Sequence, residues 1–116
     1  MRIVEVQKDT TIEYSSKELL FLAPSGQPYR GSVYIKFISK GESINLIDFK
    51  KYITSLRETT LIAENIAYEI FSEIDSIINS KKLGVVVDIT SRGGIQQRVS
   101  FGKAFEPIIK ANIFQL

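Results

Sequence analysis

The sequence has no cysteine, no histidine and no tryptophan. Without cysteine there is no disulfide frame and no thiolate nucleophile. Without cysteine and histidine together, a zinc site loses its usual ligands. A Ser-His-Asp triad cannot be assembled. Chemistry therefore falls to Asp, Glu, Lys, Tyr, Arg, Ser, Thr or the backbone. Long hydrophobic runs are missing too: nothing approaches the roughly 18 apolar residues needed to span a bilayer. The opening "MRIVEVQKDT" alternates and carries charge, unlike a secretory signal. A cytoplasmic protein with no membrane partner is expected. The net charge of +2 is too small to argue for nucleic acid by itself.

What is present is ordinary for a globular chain. With 116 residues, 44% hydrophobic and 24% charged, it reads as one domain over 1–116. Such a chain can build a core, yet it gains from packing against other subunits. "RIVEVQ" (2–7) alternates with period two and predicts a strand; 8–16 reads as a polar connection. "KELLFLA" (17–23) predicts a second strand. "PSGQPYRG" (24–31) carries Pro/Gly punctuation and reads as a loop. "SVYIKFIS" (32–39) is a strong alternating strand, followed by a turn at 40–43.

The period then changes. Leu46, Phe49, Ile53 and Leu56 recur at three and four, predicting a helix over 46–57. "ETT" (58–60) breaks the pattern, and Thr60 is a candidate N-cap for a helix over 61–79. Ala63, Ala67, Ile70, Ile74, Ile77 and Ile78 form its apolar stripe. Lys81 and Lys82 suit the negative end of its dipole. Strands follow at 84–91 and 95–101, joined by "RGG", and an apolar tail from Phe105 is expected to dock on the body or on a neighbour. Strands, two helices, then strands predict an α+β fold, with an antiparallel sheet of about four strands and helices on one face. Its exposed edges suit pairing between copies of the chain.

Three places can carry function. Glu64 is read as lying in the opening turn of the second helix. Its carboxylate either complements the helix dipole or accepts two hydrogen bonds from adjacent N–H groups of a purine-like or pterin ring. Glu58 and Glu69 read as surface charges. "SRGGI" is either a plain hairpin turn or an open backbone cradle, with Arg92 supplying charge and Gly93 free N–H groups. In "PSGQPYRG", Gln27 can read amide-like edges, Tyr29 can stack and Arg30 can bind phosphate, unless the segment is only structural. Ser25 has no histidine to activate it. Lys50, Lys51, Lys81 and Lys82 read as solvated.

From about Leu20 to Gly102 these pieces resemble the 7-cyano-7-deazaguanine reductase family of the tunnel-fold group. "GQP" (26–28) resembles the loop after that family's catalytic cysteine, written C-P-x-T-G-Q-P-D. "SVYIKF" resembles its next strand, "DFKKYITSLR" (48–57) its first helix, and "TSRGGI" (90–95) its T-P-R-G-G-I. Glu64 falls at the glutamate of a His-Glu pair opening its second helix. The resemblance implies sheets closing into a barrel in a homo-oligomer. It implies ligand sites between subunits, with Glu64 of one copy facing loop 24–31 of another.

The resemblance also implies chemistry. Family members reduce the nitrile of 7-cyano-7-deazaguanine with NADPH, toward queuosine. An archaeal branch adds ammonia to that nitrile within tRNA, making archaeosine. Both use a cysteine thioimide and an aspartate proton donor. Here the cysteine position is Leu22, or Ala23 after a one-residue shift. The aspartate is Tyr29, a weak candidate for its role, and the histidine is Ala63. The reductase motif E-S-K-x-x-K-x-Y becomes "NLIDFKKY" (45–52), keeping Lys50 and Tyr52, so the NADPH site is degraded. Glu64, Gln27, Arg92 and Gly93 survive as candidate contacts to a purine-like base. Two other readings stay open: a non-catalytic subunit that binds a base or tRNA, and a metal-free pterin-handling enzyme.

Overall fold

Alternation along β3 (Pro28–Ile38) sets the centre of the molecule. Gly31, Val33, Ile35 and Phe37 are buried, whereas the residues between them are not. A strand with period-two burial has one face in the core and one face outside. The computed structural model describes residues 1–78, 80 and 82–108, apart from the side chains of Ser91 and Arg92. β2 (Thr11–Leu22), β3, β5 (Gly84–Arg92) and β6 (Ile95–Gly102) form one sheet in the order β2-β3-β5-β6, with every neighbouring pair antiparallel. β1 (Ile3–Glu5) and β4 (Glu42–Ile44) pair separately.

Both helices lie on one face of the large sheet. α1 (Leu46–Ser55) packs beneath β2, and α2 (Ile66–Ile78) beneath β5 and β6. Asn45 caps α1, its Oδ1 accepting from the Asp48 N–H at 3.1 Å. Phe49 and Ile53 of α1, and Ile66, Ile70 and Ile74 of α2, meet Phe21, Val33, Ile35, Phe37, Val85 and Val87 of the sheet. Burying each such side chain contributes roughly 1.5–3 kcal/mol. Tyr14 ties the small sheet to the large one. Its hydroxyl lies 3.0 Å from Ser43 Oγ, and its ring centroid lies 6.3 Å from those of both Phe37 and Phe49.

The α+β class, the four-stranded antiparallel sheet and the two helices on one face match the expectation from sequence. Several boundaries do not. Residues 11–16 are the first half of β2 rather than a polar connection. A bulge between Ser16 and Leu19 inserts one extra residue against β3, which breaks the alternation across "SSKEL". β3 begins at Pro28, so the loop is shorter than 24–31. Proline is tolerated at the first residue of a strand. Glu42–Ile44 is a strand, not a turn, because β1 recruits it.

Thr60 does not cap a helix. Residues 59–61 instead run along the open edge of β2, with Leu22 N–H donating to Thr59 O and Leu61 N–H donating to Leu22 O, each at 2.9 Å. An edge strand satisfies its backbone groups this way. α2 therefore starts at Ile66, after a short 3₁₀ turn at Ala63–Asn65. Asn79, Lys81 and the tail from 109 lie outside the described residues.

Candidate functional site

The β2–β3 and β5–β6 turns emerge at the same end of the sheet. The register places Leu22 opposite Pro28, and β3 opposite β5 with Gly31 facing Ile89. Gln27 and Gly93 are therefore carried to one end. The first turn is closed by backbone: Ala23 N–H donates to Gln27 O, and Gly26 N–H to Ala23 O, each at 2.8 Å. The second is a two-residue hairpin in which Gly93 (φ 61°) and Gly94 (φ 83°) both take positive φ. That conformation matches the twist of the flanking strands and suits glycine. Open space surrounds both glycines.

Glu64 reaches the site from a third direction. It lies in the 3₁₀ turn, exposed, while its neighbour Ala63 is buried in the core. The chain there leaves Leu22 at Leu61 and passes to β6. Three residues span at most about 11 Å, so Glu64 stays within that reach of the end of β2. Glu64 thus belongs to the helix layer. Thr90, Gln96 and Arg98 instead line a depression of about 720 Å³ on the sheet's other, open face.

Tyr29 stands on the helix side of β3, half-buried, its ring centroid 5.2 Å from that of Phe21. Arg92 ends β5, and its side chain lies outside the described residues. Leu22, at the cysteine position, ends β2, and Ala23 beyond it is buried. Lys50 of the degraded reductase motif is exposed on α1. Tyr52 is more buried, its hydroxyl donating to Glu69 O at 3.5 Å. Burial first, then the Glu69 and Glu73 carboxylates, push that hydroxyl's pKa above the ordinary tyrosine value.

A feature not anticipated from the sequence occupies the open face. Arg98 binds Asp88 in a fork: Nε to Oδ1 at 2.5 Å and Nη2 to Oδ2 at 3.0 Å, while Nη1 lies 3.4 Å from Glu106. The Asp88 hydrogen bond is the main reason the Arg98 pKa lies above its ordinary value. Asp88 and Arg98 are direct cross-strand partners. Counting back from the Gly-Gly turn without a break would instead pair Asp88 with Val99. A bulge between Ile89 and Arg92 shifts the register by one, so simple counting misses the pair.

A family model described as QueF-like protein matches residues 28–106. The chain belongs to that family. A relative is the NADPH-dependent 7-cyano-7-deazaguanine reductase of Pelodictyon phaeoclathratiforme, 29% identical over 94 residues, covering 80% of this chain and 81% of the relative. A reductase of the same name from Rickettsia felis is 38% identical over 71 residues, covering 61% of this chain and 25% of its own length. The crystal structure of the apo archaeosine synthase QueF-Like superposes with a TM-score of 0.76 at 18% identity, covering 87% of this chain and all of that one. At that identity the likeness establishes the fold. Among the described residues, no helix is long and apolar enough to cross a membrane.

Proposed function

We propose that the chain binds a 7-deazaguanine-type purine base at a junction between two copies. Glu64 of one copy accepts from adjacent ring N–H groups. The Gln27 loop and the Gly93 turn of the other enclose the ring. One observation carries this reading: a QueF-like chain keeps an exposed carboxylate in the turn just before α2, clear of the core that buries its neighbour Ala63. Among the described residues the outer edge of β6 is unpaired and that of β2 is covered only at residues 59–61, which gives copies a means to join. The pathway served is queuosine or archaeosine formation, with the base free or within tRNA.

The thioimide route is closed to this chain. In that chemistry a cysteine sulfur adds to the nitrile carbon, and positions 22 and 23 are Leu and Ala. The NADPH motif is degraded as well. Lys50 and Tyr52 are what remains of the motif. The depression of about 550 Å³ beside Tyr52 is lined by Arg2 and Lys51 as well as Asp48 and Glu73, with Asp48 already paired to Arg2. No hydride step is assigned. These observations favour binding without turnover, as in a non-catalytic subunit.

The test is calorimetric titration with 7-cyano-7-deazaguanine, beside guanine and neopterin. Binding of the deazaguanine is expected, weakened by about 1.5–3 kcal/mol in Glu64→Gln, since a hydrogen bond to a charged group is lost. Equal affinity in wild type and variant would remove Glu64 from the site. Preference for neopterin would move the chain to pterins. NADPH consumption with the nitrile base would overturn the non-catalytic reading.

A further inference from the structure

Another concavity lies at the opposite end of the sheet. It has about 190 Å³ and is lined by Lys36, Lys82 and Lys103 over an apolar floor of Phe37, Ile38 and Phe105. We propose that it binds the phosphate group of a phosphate ester through these three lysines. The lysines come from separate segments: Lys36 from β3, Lys82 from the connection between α2 and β5, and Lys103 from just after β6. Their convergence is built by the backbone. Lys103 N–H donates to Leu83 O at 2.9 Å, holding the second and third segments together.

The glycines Gly84 and Gly102 face each other across β5 and β6 at this point. A Cβ on Gly84 would lie 2.0 Å from Lys103 O and 3.0 Å from the Phe105 ring; one on Gly102 would lie 2.4 Å from Leu83 O. Any side chain would push these segments apart. The paired glycines thus let Lys103 and Phe105 fold back beside β3, where Lys36 Nζ sits 6.0 Å from the Phe105 ring centroid.

Charge decides the ligand. Among the described residues no carboxylate forms an ion pair with Lys36, Lys82 or Lys103. Two carboxylates nearby are turned elsewhere. Glu13, opposite Lys36 in register, accepts from Ile108 N–H at 3.4 Å, and Glu106 faces Arg98 at 3.4 Å. With Glu13 and Glu106 held by other groups, an anion can supply the counter-charge beside the three ammonium groups. Size narrows the choice. At about 190 Å³ the pocket is below the roughly 300–1,000 Å³ of sites that enclose a whole drug-sized ligand. It suits a phosphate group whose ester arm leaves toward solvent or over Phe105.

The site shares no residue with the base site and does not depend on it, so Glu64→Gln leaves it intact. The test titrates the chain with inorganic phosphate, adenosine 5′-monophosphate and a short single-stranded RNA, at several salt concentrations. Lys82→Gln/Lys103→Gln is expected to weaken binding about tenfold or more. For RNA it should also flatten the plot of log affinity against log salt by about 1.4, two contacts' worth. Lys17→Gln, on the exposed bulge of β2, removes one charge elsewhere and should change little. Competition by the mononucleotide identifies a free ester as the ligand; binding of RNA alone identifies a nucleic-acid backbone. Lys82→Arg/Lys103→Arg keeps the charge and is expected to retain binding, which separates loss of the site from loss of the fold. Wild type that binds none of the three probes overturns the proposal. So does a loss in Lys17→Gln equal to that of the double variant.

Discussion

The two faces of the same sheet follow different rules. On the helix face of β3, Val33, Ile35 and Phe37 interlock with α1 and α2 and exclude water. On the open face, one residue along each time, stand Ser32, Tyr34 and Lys36, with the Asp88–Arg98 fork beside them. The contrast arises from alternation alone: the same backbone presents an apolar set to one side and a polar set to the other. Stability therefore resides on one face. The other is left to carry charge and concavities, and both the larger depression and the lysine pocket involve it.

The largest expected effect tests that division directly. Phe37→Ala removes a fully buried ring and should cost about 3–5 kcal/mol in chemical denaturation. Tyr34→Ala, three positions away on the open face, should cost about 1 kcal/mol or less. Equal losses would mean that the open face is buried as deeply as the core. That would contradict the separation of roles.

How much of this was legible in the sequence depends on how local the signal is. β3 announced itself because its alternation is unbroken, and α1 because Phe49 and Ile53 keep helical spacing. The first half of β2 did not, because a bulge changes phase inside it. Thr60 looked like a cap because capping chemistry is read from near neighbours. Its true partner, Leu22, is 38 positions away, on an edge that only the folded sheet creates. The candidate site was legible by motif, since Gln27, Gly93 and Glu64 sit in recognisable segments. That Gln27 and Gly93 share one end of the sheet was not, because it follows from strand register. The lysine pocket was least legible: Lys36, Lys82 and Lys103 share no periodicity, and Lys82 alone reads as a solvated charge.

A smaller effect sharpens the account of the open face. The Asp88–Arg98 fork is partly exposed, with side chains 36% and 46% accessible, so solvent screens much of its attraction. Arg98→Met should lower stability by about 1 kcal/mol or less. The loss should shrink further in high salt. A loss several times larger would show that the depression is closed from water in the working protein. The fork would then be an interface element between copies rather than a surface pair.

The smallest effect lies outside the sheet, at its N-terminal brace, and appears only against pH. Arg2 binds Asp48 through its backbone N–H at 2.7 Å and its guanidinium at 2.8 and 3.0 Å. The guanidinium hydrogen bond is the main reason the Asp48 carboxyl titrates well below the ordinary carboxylate range. A carboxylate whose pKa is lower folded than unfolded stabilises the fold above its unfolded value of about 3.9, and that contribution fades as pH falls toward the folded value. Arg2→Ala should therefore be less stable than wild type near neutral pH, with the gap narrowing as pH drops below about 4. The measurement is a pair of denaturation series across that range. A gap that stays constant would assign Arg2 to packing at the start of α1. A gap that widens in acid would mean that Asp48 gains nothing from Arg2, because protonation then would be stabilising rather than costly. The brace would in that case hold α1 against β1 through the backbone bond from Asn45 N–H to Arg2 O, 2.9 Å long, which neither side chain controls.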